Sequence, residues 1–302
     1  FVSEIKDSKV EPIQPRFVNF KRDLTFTKTK KGLPVVYKQD AESGLSTLAL
    51  HWEMGECADN RYGVATDYLD YVGTQSKTLA QIKKELYRLG CFTNFSTGPT
   101  YINLVISGLD ETLPEAIAVV EDIMHNAKAD AKAYSDLTSL YEKDRTDAKK
   151  NQRSNFTALR YMGQYGEYNP QTNDMSIDEM RKTDPQTLLD LIKALPTYKH
   201  EILYCGPRSV KDLVKLFDKV HQTPKTLKEP LKNKEYTEQT TPKNEVWIAP
   251  YEAKNIYMAM YHNDNKAWNA DEVPVSALFN EYFGGGMNTV VFQELREARG
   301  LA

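Results

Sequence analysis

Two arginines near the C-terminus, Arg296 and Arg299, are the side chains of this sequence with the clearest chemical use. A planar guanidinium can donate two parallel N–H bonds to a carbonyl, or to an oxyanion as it forms. On a helix of 3.6 residues per turn, Phe292, Leu295, Arg296 and Arg299 fall within one arc, while Gln293, Glu294 and Glu297 point elsewhere. Arg296 is therefore the primary candidate for a ligand-binding residue and Arg299 the secondary one. A structural alternative stays open for both: their stems can lie along a module surface, or they can pair with a neighbouring Glu.

Other residue types with chemical potential lack companions. Three consecutive glycines, Gly284, Gly285 and Gly286, would each cost about 1 kcal/mol inside a helix and so mark a sharp structural turn, after which Asn288 is expected to cap a new helix. No G-x-x-x-x-G-K-[ST] pattern surrounds them, which leaves close passage of one helix against a neighbouring module as their use. His51, His125, His200, His221 and His262 are far apart, and no two have helical ligand spacing. Asp67 and Asp70 share a helical face, but two carboxylates without imidazole make a poor zinc site. His51 and Glu53 share a strand face and read as packing residues, and His125 sits at a favourable helix C-terminus. Cys57, Cys91 and Cys205 are dispersed and odd in number, as buried thiols are, and no G-x-S-x-G elbow occurs. The sequence assigns this chain no catalytic residue, no metal site and no cofactor of its own.

Composition narrows the classes further. Charged residues make up 27% of the 302, the formal net charge is -3, and Lys and Glu are interspersed, so no basic stripe is present for nucleic acid. No run approaches eighteen apolar residues, which excludes a membrane span, and the first residues lack the basic start and apolar core of a signal peptide. The compartment is left open.

The elements that must position these residues follow from periodicity. After a Pro-containing lead over 1–20, alternation predicts strands at Leu24 to Lys31, Pro34 to Gln39 and Leu45 to Glu53. Helices are expected at Asn60 to Val72 and Thr78 to Leu89, then strands at Cys91 to Ser96 and Tyr101 to Gly108. Leu113, Ile117, Val120 and Met124 share one face of a long helix with Asp110 as its cap, and Tyr141 to Lys150 reads as a solvated helical face. A strand at Lys199 to Cys205 leads to a helix capped by Ser209. A first α+β module thus spans 21–221, a Pro-, Lys- and Thr-containing linker 222–243, and a second module begins at 244 with strands at Glu245 to Ala249 and Ile256 to Tyr261 and a helix at Glu272 to Phe283. Asp70-Tyr-Val-Gly73 and Glu281-Tyr-Phe-Gly284 each close a helix, and each is followed by Glu-Leu, at Glu85-Leu86 and Glu294-Leu295. The expected fold class is α+β: duplicated modules, each a mainly antiparallel sheet packed with helices in two layers, the second one truncated.

The segment Gly-Gly-Gly-Met-Asn288 followed by Phe292-Gln-Glu-Leu-Arg296 and Gly300-Leu-Ala302 closely resembles the C-terminal-half motif of the pitrilysin/insulinase family of zinc metallopeptidases, where a Tyr comes next. Catalytic modules of that family carry H-x-x-E-H on the first helix after the opening strands, shortly before a Gly-Thr. The equivalent stretch here, Gly63-Val-Ala-Thr-Asp-Tyr-Leu-Asp-Tyr-Val-Gly-Thr74, contains no histidine. The resemblance implies a non-catalytic C-terminal half, inert alone, that walls a peptide-binding chamber. It implies zinc in the missing N-terminal half, that catalytic half or a homologous subunit as partner, peptide as substrate, and Arg296 as a residue contacting peptide. A second implication is open, because core proteins of ubiquinol-cytochrome c reductase keep this fold in a structural or interaction role without proteolysis.

Overall fold

Period-two alternation of apolar residues gives each strand one buried and one partly exposed face, and six such strands form a single mixed sheet. The computed structural model describes residues 14, 15 and 17–301; most of the lead expected over 1–20 lies outside the described residues. The strands are β1 (Thr25–Lys28), β2 (Pro34–Gln39), β3 (Leu45–Trp52), β4 (Cys91–Thr97), β5 (Ile102–Leu109) and β6 (Glu201–Gly206), in the order β1-β2-β6-β3-β5-β4. All pairs are antiparallel except β2 with β6. The β1–β2 hairpin closes at Gly32, whose φ of 88° suits glycine, and Thr29 Oγ1 accepts from Leu33 N. Ser46, Leu48, Leu50 and Trp52 face inward on β3, opposite Gly108, Ile106, Leu104 and Ile102 of β5.

Helices cover that inner face: α1 (Arg61–Leu69), α2 (Leu79–Arg88), α3 (Leu113–Asn126), α4 (Ala131–Ala148), α5 (Gln152–Tyr165), α6 (Ile177–Lys182), α7 (Pro185–Ala194) and α8 (Val210–Val220). Six of these eight starts carry a side-chain cap. Thr78 and Ser176 form capping boxes with Gln81 and Glu179, Asp130 and Asn151 cap α4 and α5, and Ser209 accepts from Asp212 N as expected. Leu113, Ile117, Val120 and Met124 are all buried, and fully enclosed Trp52 donates from Nε1 to Leu195 O at 2.8 Å, satisfying its polar edge inside the core.

Asp110 does not cap α3. It opens a single 3₁₀ turn, Asp110–Thr112, because Pro114 defers the α-helix to Leu113. Its buried carboxylate instead accepts from Tyr204 OH at 2.7 Å and pairs with Arg208 Nη2 at 3.0 Å, tying the start of α3 to the β6–α8 loop. The run from Tyr141 is also more than a solvated face: Tyr141 bonds Asp67, Glu142 pairs with Arg181 at 2.7 Å, and Arg145 lies 3.6 Å from Asp174.

The chain divides into two compact units, the first running through Thr237 and including Ile248–Tyr257, the second comprising Glu238–Trp247 and Met258–Ala302. Residues 222–237 follow the first unit as a strap. Lys228 N donates to Thr197 O at 2.9 Å, Lys234 N to Cys57 O at 2.8 Å, and Asn233 Oδ1 accepts from Gly55 N at 3.1 Å.

The strands expected at Glu245 to Ala249 and Ile256 to Tyr261 are not formed. Their apolar residues, such as Val246, Ile256 and Met260, are exposed, and a two-stranded pair with an uncovered apolar face is marginal in water. In the second unit, α9 (Val273–Phe283) follows a 3₁₀ turn at Ala270–Glu272 capped by Asn269, close to the expected helix. Among the described residues of that unit only Thr289 is buried.

Candidate functional site

The first helix after the opening strands is α1, the helix on which the sequence resemblance would look for a metal-ligating pair. Thr66 bonds back to Tyr62 O at 3.0 Å and meets Thr97 Oγ1 at 3.1 Å, fixing α1 against β4. Asp67 and Asp70 line a cavity of ≈ 450 Å³ together with Tyr141, Asp144, Arg145 and Asp174. The Tyr141 hydroxyl donates to Asp67 Oδ2 at 2.5 Å; burial, and then that bond, push the phenol far above its ordinary range, so it stays a donor. Burial raises the Asp174 carboxyl and Arg145 only partly offsets this. Burial likewise raises Glu56, with Asp174 and Asp67 adding to the effect. The Glu56 side chain crosses the start of α1, and a Cβ at Gly63 would meet its Oε1 at 2.4 Å.

This donor set does not suit zinc. It offers carboxylates and a phenol, no imidazole, and the carboxylate of Asp67 is already engaged by Tyr141. Among the described residues no three His, Cys, Asp or Glu side chains are arranged to hold a metal ion. His51, expected as a packing residue, bonds Asn103 Oδ1 at 2.7 Å and lies beside the Tyr101 ring.

In the second unit, Gly284, Gly285, Gly286 and Arg296 come together around a shallow cavity of ≈ 360 Å³ whose apolar wall is Phe292 and Leu295. Arg299 does not line it. The glycine turn is closed by Gly284 N and Gly285 N, both donating to Asn280 O at 2.9 and 2.7 Å. Thr289, not Asn288, caps the next segment: its Oγ1 accepts from Phe292 N at 3.4 Å and donates to Gly286 O at 2.7 Å. Phe292–Glu297 then winds as a π-helix, so the 3.6-residue arc read from the sequence does not apply. Arg296 is exposed, not inward, and its guanidinium stands 4.9 Å from the centroid of the Phe292 ring.

One cluster escaped the sequence reading. Glu121 of α3 meets two histidines, and a third joins through one of them: His221 Nδ1 lies 2.5 Å from Glu121 Oε1, His125 Nε2, one turn along the same helix, lies 3.4 Å from Oε2, and His200 Nε2 meets His221 Nε2 at 2.9 Å. Glu121, His200 and His221 are buried. The signal available in the sequence was a glutamate beside the apolar stripe of α3, four residues ahead of His125.

No family model matches this chain, and no curated protein matches it. Solved structures do. A peptidase M16 inactive domain from Pseudomonas fluorescens superposes with a TM-score of 0.64 at 17% identity, over 92% of this chain and 68% of that one. A protease from Helicobacter pylori gives 0.63 at 15% identity, over 92% and 69%. The periplasmic protease PqqL from Escherichia coli gives 0.60 at 12% identity, over 79% of this chain and 29% of that chain, so the present chain spans under a third of the length of that protease. The α+β architecture expected from the sequence is the fold these structures share. No helix among the described residues is long and apolar enough to cross a membrane.

Proposed function

We propose that this chain, built on the peptidase M16 fold, is the non-catalytic half of a zinc-dependent endopeptidase of the pitrilysin/insulinase family. A first, complete module spans 21–221 and a second begins near 244. The half walls a chamber for peptide, and zinc and the water-activating carboxylate belong to the partner half. What supports this reading is α1, the first helix after the opening strands, which presents Asp67, already bonded to Tyr141, where the family resemblance would put imidazole. Arg296 is the residue by which this half reaches peptide. Its exposed guanidinium, propped over Phe292 at the rim of the glycine-turn cavity, is free to donate a fork of N–H groups to a backbone carbonyl.

The test is reconstitution. The chain alone should bind no stoichiometric zinc after dialysis and leave unstructured peptides intact, and adding a partner half that bears H-x-x-E-H should give chelator-sensitive cleavage. Chelator-sensitive cleavage by this chain alone would overturn the proposal. An assembled pair with an intact zinc motif that never cleaves peptide would instead establish a structural role for the same fold.

A further inference from the structure

Hydrogen-bond geometry around His221 fixes where the protons of the buried histidine cluster must be. Tyr198 O, 2.7 Å from His200 Nδ1, can only accept, so that nitrogen carries hydrogen. Burial, with the ring tilted against Trp52 at 4.9 Å between centroids, holds His200 near pKa 4 and hence neutral at physiological pH, leaving its Nε2 as an acceptor. The hydrogen between the two Nε2 atoms therefore belongs to His221. On the other side of His221, burial works to raise Glu121, but contacts with His125 and His221 outweigh it and hold the carboxyl at about 2. As a carboxylate, Glu121 can only accept, so His221 Nδ1 carries hydrogen as well. To satisfy both partners, His221 has to donate from both ring nitrogens, toward a buried carboxylate on one side and the His200 ring on the other.

The position of His221 gives it a mechanical use. His221 is the residue after α8, and Gln222, the first residue of the strap, donates its N–H to Glu121 Oε2 at 3.3 Å. Lys31, from the β1–β2 turn, donates from Nζ to His221 O at 3.0 Å. The charged and titratable groups that face His221 are then Glu121 and His125 from α3, His200 from the start of β6, and Lys31. Beyond Gln222 the strap has bonds of its own, from the backbone at Lys228 and Lys234 and from the Asn233 side chain.

We propose that Glu121, His221 and His200 form a proton-operated latch that fastens the root of the 222–237 strap to the first unit, closed while His221 carries two protons and released when it loses one. Loss of a proton leaves His221 with one N–H for two buried acceptors, so either Glu121 or His200 must face a lone pair, a cost that opening of the strap root relieves. Acid opens the latch from the other side. When His200 gains a proton, its Nε2–H confronts the Nε2–H of His221, and the two rings carry like charge.

The proposal is tested on the intact chain by nitrogen NMR of the histidine rings and amide hydrogen exchange, from about pH 5 to about pH 9. Exchange is expressed as protection factors, so that base catalysis of the exchange itself is removed. Expected are two protonated nitrogens on His221 at neutral pH, and a loss of protection of at least about tenfold at Gln222, whose amide bonds Glu121, that tracks loss of a proton from the cluster, while amides of β3 and β5 stay protected. Glu121→Gln should lower strap protection at neutral pH and abolish its pH dependence. A single protonated nitrogen on His221 at neutral pH overturns the idea, as does strap protection that stays flat through the His221 titration. Both readouts come from the unmodified protein, so a Glu121→Gln chain that fails to fold does not shelter the proposal.

Discussion

Replacing Arg296 by Ala separates a ligand-binding arginine from a structural one. In this structure Arg296 is exposed, and its defined contact is the stack over Phe292 at 4.9 Å. An exposed cation–π contact contributes about 0.5–1 kcal/mol. A domain of this size shifts its Tm by roughly 2–4 °C per kcal/mol, so the variant should melt at most a few degrees early. If Arg296 donates to a substrate carbonyl or to the oxyanion that forms from it, kcat/KM of the assembled peptidase should fall by about 10- to 1,000-fold, or about 1.4–4 kcal/mol of transition-state stabilisation. Arg296→Lys keeps the charge but not the fork, and should recover only part of the loss. The assay is cleavage of a fluorogenic peptide by the reconstituted halves, run beside thermal melts of this chain. A variant that melts far earlier while its folded fraction cleaves normally would refute the assignment, since the arginine would then be holding the helix and not the substrate.

Three further outcomes follow from the first unit. Tyr141→Phe should destabilise it by about 1–3 kcal/mol in urea unfolding, because a hydrogen bond to a carboxylate is lost inside a partly closed cavity. Asp110→Ala should cost more, about 3–5 kcal/mol, by leaving Arg208 without its carboxylate partner and Tyr204 OH without its acceptor; equal urea midpoints for variant and parent would contradict this. Acid should weaken the fold in two steps. His200, depressed to about 4, gives stability that is present above about pH 6.5 and lost as pH falls toward 4, at most about 3 kcal/mol, and Glu121, depressed to about 2, gives stability lost as pH falls below about 4.5. Urea midpoints that hold constant between about pH 7 and 4 would contradict the first step.

The strands of the first unit were legible because one face of the sheet is covered: Leu48, Leu50 and Trp52 must alternate with less buried residues whatever their neighbours are. Where a strand sits in the sheet was not legible. β6 enters between β2 and β3, so that Val35 pairs with Ile202 and Ala49 with Leu203, a choice made by contacts more than 150 residues apart in sequence. Asp110 misled because an Asp ahead of an apolar stripe has the composition of a cap, while Pro114 sets the true start three residues later. The strand pattern after Glu245 misled for the opposite reason, since local alternation was present without a layer to bury it. At the candidate sites, the glycine turn and Arg296 were readable as a local motif, yet the π-winding that brings the guanidinium over Phe292 was not. The histidine cluster was invisible to any argument from spacing, because His221 reaches Glu121, and His200 reaches His221, only through the closure of α3, β6 and α8 around one point.

The cavity beside α1 is lined by side chains that satisfy one another. Polar groups drawn even partly out of water need such partners. Here the Tyr141 phenol, kept protonated by burial, supplies a hydrogen to Asp67, and Arg145 approaches Asp174 from the same helix, α4. Glu56 occupies the space above Gly63 that any side chain on that turn would need. Returning two histidines one turn apart, at Gly63 and Asp67, would therefore expel Glu56 and break the Tyr141 bond before any metal arrived. The carboxylates beside α1 already have partners of their own, so a metal ion would have to compete with Tyr141 for Asp67 and with Arg145 for Asp174.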